Sequence, residues 1–298
     1  MNSCDHKVDV YALNPEPFLD NPYISNLVSL KDPTVTFTKK YRAKIVYEDL
    51  GPNCYHSYTT DVFMKKVLSG TSLRPKDKYI DFYWNEPDED YVDALLKQHD
   101  LQPYKFVVTS PTINWPSRTL PLDVYKNTIN RILELGDKIV LVGKDINPRR
   151  DFIHVSKKAR NVETKSLYPA SEFPGTIDLT NQLTMKQLAA LYSKAAMAIN
   201  TENGNMVISC TNDSCWNLYI PSLTAPEFRL PFRKGSQFYK TTIVPNTDDY
   251  YPTYNRKLFK KILSGDPVMD LETAEVLWPT VDEIYKSYKI TRREIGLC

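Results

Sequence analysis

The chain has 298 residues, 42% hydrophobic and 25% charged, a globular composition that excludes a disordered or fibrous protein. Thirty-eight basic against thirty-six acidic residues leave a formal charge of +2. That balance excludes a surface given over wholly to polyanion binding and leaves room for a local basic patch.

Residues 7–13 read as a strand, broken by Asn14-Pro-Glu-Pro17. A second strand is expected at 43–47, before Gly51-Pro52. Residues 60–68 form a helical stripe through Val62, Phe63, Val67 and Leu68, with Gly70 as its stop. The aromatic run 79–84 reads as a strand. Residues 88–99 read as an amphipathic helix with Tyr91, Val92, Leu95 and Leu96 on its apolar face. Leu101-Gln-Pro103 then reads as a linker, and a length near 300 fits two domains of about 150 residues.

The second half alternates more cleanly. Residues 105–109 form a short apolar strand, of the kind buried on both faces. A proline-rich polar loop leads to a helix over 122–135, closed by Gly136. Strands follow at 137–142, 176–179, 196–200 and 216–220, with a helix over 184–195 between the second and third. Strand–helix alternation at this spacing predicts a parallel, doubly wound α/β sheet. Beyond Tyr254 two or three helical segments are expected, the clearest at 258–263.

No run approaches about eighteen apolar residues and no apolar segment follows a basic start, so neither a membrane span nor a secretory signal is expected. The five cysteines are scattered without a CxxC pair, which fits reduced thiols in a cytoplasm and no structural zinc. Only 9 glycines occur and no GxGxxG, so the main mark of a dinucleotide-binding dehydrogenase is missing. The 20 tyrosines suit sugars and bases as well as a half-buried core.

Ligands of open parallel sheets bind beyond the carboxyl ends of the strands. Three loops there are polar. Ser110-Pro-Thr-Ile-Asn-Trp-Pro-Ser-Arg-Thr-Leu-Pro121 joins hydroxyls and Arg118 to a helix start, which suits a diphosphate or a simple capped helix. Gly143-Lys-Asp145 follows a strand directly. There the glycine permits close approach, and Lys144 and Asp145 are within reach of a ribose or base. Asn200-Thr-Glu-Asn-Gly-Asn205 again joins strand to helix, with Gly204 at the turn.

The order of these segments resembles the C-terminal half of glycosyltransferase family 9, the family of the lipopolysaccharide heptosyltransferases. The likeness rests on Ser117-Arg-Thr-Leu-Pro121, Ile139-Val-Leu-Val-Gly143, the stretch from Ile177-Asp-Leu179 to Leu188-Ala-Ala-Leu191, and Ala198-Ile-Asn-Thr-Glu-Asn-Gly204. It covers residues 103 to 245. Leu120 stands where the family has tryptophan, Glu202 where it has aspartate, Asn203 where it has serine or threonine, and Val207 where it has histidine.

The resemblance implies two Rossmann-like domains facing a cleft. Residues 1–102 would be a shortened acceptor-side domain, 103–250 the nucleotide-sugar-binding domain, and 251–298 a helical tail packing back across both. The implied activity is inverting transfer of a sugar from a nucleotide-diphosphate donor to an acceptor hydroxyl, without a metal or other cofactor. The donor would meet Ser110, Arg118, Gly143, Lys144, Glu202, Asn203 and Gly204. The family default acceptor is a lipopolysaccharide-type or other surface saccharide, compatible with peripheral membrane association. A hydroxymethylated base of phage DNA is the alternative, with the basic residues between Lys39 and Lys78 as its face. A non-catalytic nucleotide-sugar-binding scaffold is a third reading, because the family's first strand and its glycine–aspartate turn have no counterpart before Val8-Asp-Val10. A base must accept the acceptor proton, and the first half offers Asp9, Asp20, His56 and Asp61, the last two as a cluster in His56-Ser-Tyr-Thr-Thr-Asp61. Finally, Pro231 breaks any regular helix through Thr224-Ala-Pro-Glu-Phe-Arg-Leu-Pro-Phe-Arg233. An extended loop is expected there, bringing Arg229 or Arg233 to the cleft with Glu227 as an internal partner.

Overall fold

The structure, a computed structural model, describes residues 8–12, 14–32, 34, 79–113, 119–145, 167–221, 226–245 and 278–297. Its centre is a six-stranded, wholly parallel sheet. The strands are β3 (Phe106–Thr109), β4 (Lys138–Leu141), β5 (Ile177–Asp178), β6 (Met197–Asn200), β7 (Trp216–Tyr219) and β8 (Thr241–Ile243), in the order β5-β4-β3-β6-β7-β8. Counted from the first strand of this sheet, the order is 3-2-1-4-5-6, that of the doubly wound nucleotide-binding folds. The chain runs outward one way from β3 and the other way from β6, and leaves a crevice between their carboxyl ends.

Both faces of the sheet are covered, which is why β3 and β6 bury every residue and read as unbroken apolar runs. Alternate side chains feed two cores. Phe106 and Val108 pack with helices α1 (Glu86–Gln98) and α3 (Met185–Lys194) through Val92, Leu95, Leu96, Leu188 and Leu191. Val107, Met197 and Ile199 pack with α2 (Leu122–Leu133) and the C-terminal α6 (Val281–Glu294) through Ile129, Ile132, Ile284 and Tyr288.

The helix ends explain why these segments start where they do. Asn85 with Asp88, Thr184 with Gln187, and Thr280 with Glu283 form capping boxes at α1, α3 and α6. At the other end of α2, Gly136 takes a φ of +82° in the turn into β4, a conformation costly for a side chain. Helix α6 is fastened to the turn before β4. Asp137, 8% exposed, accepts hydrogen bonds from Tyr288 (2.7 Å) and from Arg292 Nε (2.6 Å) and Nη2 (3.1 Å).

Ahead of this unit, β1 (Val8–Ala12) and β2 (Ile24–Ser29) form a two-stranded parallel sheet. It meets the first turn of α3. The Met185 N–H donates to Glu16 Oε1 at 2.7 Å, and the Lys186 ammonium bridges Asp20 and Asp88.

Several expectations need correction. Residues 79–84 form no strand: Tyr79 makes one isolated bridge to Phe232, and Phe82 and Trp84 pack on the α1–α3 side of the core. Strands β2 and β8 carry no apolar run in the sequence; β8 is three half-buried residues at the sheet edge. Val92, Leu95, Leu96 and Leu101 pack in the same core cluster as Phe106 and Val108. The strand at 43–47 and the helices at 60–68 and 258–263 lie outside the described residues.

Candidate functional site

The crevice between β3 and β6 holds the candidate site. Thr109, Ser110 and Thr112 come from the end of β3, Asn200 and Thr201 from the end of β6, Ile220 from the end of β7, and Leu120 and Tyr125 from the start of α2. Together they line a pocket whose enclosed part is about 10 Å³, the room one water needs. Its floor is a hydroxyl chain. Thr109 Oγ1 donates to the Ile199 carbonyl at 2.8 Å, so the 2.5 Å contact with Tyr125 OH has the tyrosine as donor. Burial pushes the Tyr125 hydroxyl well above its ordinary pKa and keeps it neutral. Among the described residues Ser110 Oγ is buried without a hydrogen-bond partner, a polar atom at the crevice that a ligand or a water can satisfy.

The loop from β6 into α4 (Gly204–Cys210) is held from two sides. Asn203 caps α4, accepting from the Met206 N–H at 3.1 Å. Its amide also donates across the crevice to Thr112 Oγ1 at 3.0 Å. Glu202, 5% exposed, faces Arg229 with Oε1 2.9 Å from Nε. Gly204 has no positive φ, and a Cβ built there meets nothing within 4 Å among the described residues. Among those residues the space beside this glycine is open.

Gly143 is different. It takes a φ of +132°, and a Cβ there would stand 2.8 Å from Leu167 Cδ2 and 2.9 Å from Ser110 Oγ. The turn that follows is closed by Asn181, whose N–H donates to the Gly143 carbonyl at 2.7 Å. Asn181 Oδ1 accepts from the Asp145 N–H at 2.7 Å, and its amide donates to Asp145 Oδ2 at 3.2 Å. Lys144 follows Gly143 in this turn and is exposed.

Of the two arginines expected at the cleft, Arg229 pairs with Glu202, while Arg233 is held by backbone carbonyls. Arg233 is 2% exposed and donates to the carbonyls of Asn212 (2.5 Å), Cys215 (2.6 Å) and Lys240 (3.3 Å). It fastens the turn before β7 to the chain before β8. The segment is also not extended throughout: Pro226–Arg229 forms the short helix α5, which ends before Pro231. Glu202, on a loop the sequence places far away, is an acidic partner of Arg229. Arg118, His56 and Asp61 lie outside the described residues. Among the described residues no group of three or more His, Cys, Asp or Glu is placed to hold a metal ion. No described helix is long and apolar enough to cross a membrane.

Thr112, Thr201 and Tyr125 were not singled out from sequence. Their signal was there in part: Thr109 closes a strand and Tyr125 lies in the first turn of the helix that follows it.

Neither a protein-family model nor a curated protein matches the chain. Solved structures do. A glycosyltransferase family 9 protein from Veillonella parvula is similar at a TM-score of 0.55 and 14% identity, over 97% of this chain and 68% of that one. TibC, an iron-containing dodecameric glycosyltransferase from enterotoxigenic E. coli, is similar at 0.55 and 11% identity, over 92% and 64%. TibC described as a heptosyltransferase in complex with ADP-D-beta-D-heptose is similar at 0.52 and 12% identity, again over 92% and 64%. The chain thus spans about two thirds of the length of these structures. The fold is the one found in glycosyltransferase family 9 structures, as the sequence resemblance implied.

Proposed function

We propose that the chain is an inverting glycosyltransferase that moves a sugar from a nucleotide-diphosphate donor to an acceptor hydroxyl. The observation that carries the reading is the polar crevice at the point where the strand order reverses, lined by Thr109, Ser110, Thr112 and Thr201. In this scheme Ser110 and the loop from Glu202 to Gly204 receive the diphosphate. Arg118 neutralises the charge that grows on it as the bond to the anomeric carbon breaks. Gly143 and Lys144 border the nucleoside. The acceptor oxygen attacks the anomeric carbon from the opposite side, and its proton passes to a base of the N-terminal half.

Asp9 accepts from Asn26 Nδ2 at 2.6 Å, and Asp20 is held by Lys186 and Asn85. The proposed base is the cluster of His56 and Asp61. A saccharide of the lipopolysaccharide type is the proposed acceptor, and the cytoplasm the proposed compartment.

The test is incubation with ADP-, UDP- and GDP-sugars, alone and with saccharide acceptors or hydroxymethylated DNA, following nucleotide release. Acceptor-dependent release from one donor is the expected result. Tight nucleotide-sugar binding with no release on any acceptor would overturn the enzyme reading in favour of a scaffold.

A further inference from the structure

The loop between β6 and α4 is the part of the crevice where adjacent residues pull in opposite directions. Asn203 donates to Thr112, beyond β3, at 3.0 Å. Glu202 meets Arg229, on α5 beyond β7, at 2.9 Å. One residue ties the loop to each neighbouring strand end, so the three strand ends around the pocket are strung together through positions 202 and 203.

The ion pair is buried: 6% of the Glu202 side chain and 11% of the Arg229 side chain are exposed. Two charges out of water are a poor way to gain stability, because desolvation offsets most of their attraction. What such a pair does supply is fixed geometry, since each charge is strongly disfavoured in any arrangement that separates it from the other. Here the geometry fixed is that of Thr201, which lines the pocket, and of Gly204, beside which the space is open. A loop that must present backbone N–H groups to a diphosphate works best when it is rigid before the ligand arrives.

We propose that Glu202 and Arg229 are positioning residues, whose buried ion pair holds the β6–α4 loop in the geometry that receives the donor's diphosphate. Glu202 then acts through the loop and not on the donor itself. The inference rests on the proposed donor site for its functional consequence, and on the ion pair alone for its structural one.

The experiment compares Glu202→Gln, Arg229→Gln and the double variant with the wild-type chain, by thermal melting, backbone hydrogen exchange, and binding of ADP, UDP and GDP. Each single variant leaves one buried charge facing a neutral group and lowers the melting temperature. The double variant removes both charges and recovers most of that loss. If the pair positions the loop, the double variant still exchanges the amides of 203–206 at least about tenfold faster while β3 and β6 keep their protection. It also binds the nucleotide that the wild type binds about ten- to a hundredfold more weakly, the penalty expected for a misplaced contact. Wild-type exchange at 203–206 in a stable double variant would overturn the proposal. A wild-type chain that binds none of the three nucleotides while the exchange result holds would overturn the donor-site reading and leave the loop assignment standing.

Discussion

Two parallel sheets lie among the described residues, and they are stabilised in different ways. The six-stranded sheet buries every residue of β3 and β6 between helical layers. The two-stranded sheet buries none: its strands show exposed and half-buried residues throughout, with Val8 52% and nearby Tyr23 65% exposed. A pair of parallel strands is marginal by itself, since hydrogen bonds alone add little net stability and the hydrophobic term needs covered faces. Its described links to the rest are therefore worth noticing for their chemistry. They are carboxylates, Glu16 at the first N–H of α3 and Asp20 at Lys186. One sheet is held by packing. The other is tied on by charge, at the same end of the large sheet as the candidate site. Perturbations should therefore divide between global stability, site function and local opening.

The largest effect should come from the packed unit. Asp137 accepts from both Tyr288 and Arg292, and Asp137→Asn leaves the guanidinium buried against a neutral amide. Breaking a buried pair from one side costs about 3–5 kcal/mol. The urea midpoint should fall accordingly, and α6 should lose exchange protection first. An unchanged midpoint would show that α6 is held by its apolar contacts alone.

Site function should respond next, with stability untouched. Arg118→Ala should lower donor-dependent turnover about a hundredfold, the usual loss for a donor aimed at developing charge. Gly204→Val should remove nucleotide binding while the melting temperature stays within a few degrees, since the open space beside Gly204 gives a side chain no internal clash. Gly143→Val makes the contrast, because a Cβ there meets Leu167 and Ser110 and the φ of +132° resists any side chain. That variant should lose stability and binding together. If both valine variants behave alike, the distinction drawn between the two glycines fails.

The tie between the sheets should give a smaller and local effect. Lys186→Met keeps the buried methylene stem and removes the charge that meets Asp20 and Asp88. Because Asp20 is 45% exposed, the pair is worth only about 0.5–1 kcal/mol after solvent screening. Limited proteolysis should therefore cut within 8–29 sooner while the core of the large sheet keeps its protection. Faster exchange in β3 and β6 instead would show that the small sheet supports the large one.

The same contrast explains what could be read from the sequence. Strands β3, β4, β6 and β7 announced themselves as short apolar runs because burial on both faces demands it, and the apolar stripe marked α1, although its Asn85 cap starts the helix two residues ahead of the expected position. The loops at their carboxyl ends followed from topology. Strand β2, with the exposed Ser25 and Asn26 at its centre, carries no such pattern, because a half-covered strand needs none. The pairing of Glu202 with Arg229 was equally hidden. Each lies on a different loop, and only the adjacency of β6 and β7 brings them together. Arg233 misled for a related reason: an arginine in a polar stretch reads as a ligand residue, while its three carbonyl partners come from backbone that no side-chain pattern records.

The smallest effect at neutral pH, and the most specific to the packed unit, concerns its two free thiols. Burial pushes Cys210 up to about 11 and Cys215 up to about 12, from an ordinary value of 9.0, and the nearby Arg233 guanidinium offsets only part of this. Below pH 8 both the folded and the unfolded chain keep these protons, so stability does not depend on them. Above 9 the unfolded chain releases them while the folded chain still holds them. The folded state then binds more protons, and stability falls as pH rises, by up to about 1.4 kcal/mol per pH unit for each thiol. The fall should run from pH 9 to about 11, where Cys210 begins to ionise in the folded chain. The buried hydroxyls of Tyr125, Tyr192 and Tyr288, all raised chiefly by burial, add a loss of the same sign above pH 10. The window between 9 and 10 therefore isolates the thiols. Replacing both by alanine should lower stability at every pH through the cavities left, yet flatten its slope in that window. Urea midpoints measured at half-unit steps decide it: equal slopes in the two proteins would mean that these thiols titrate at the same pH whether the chain is folded or not.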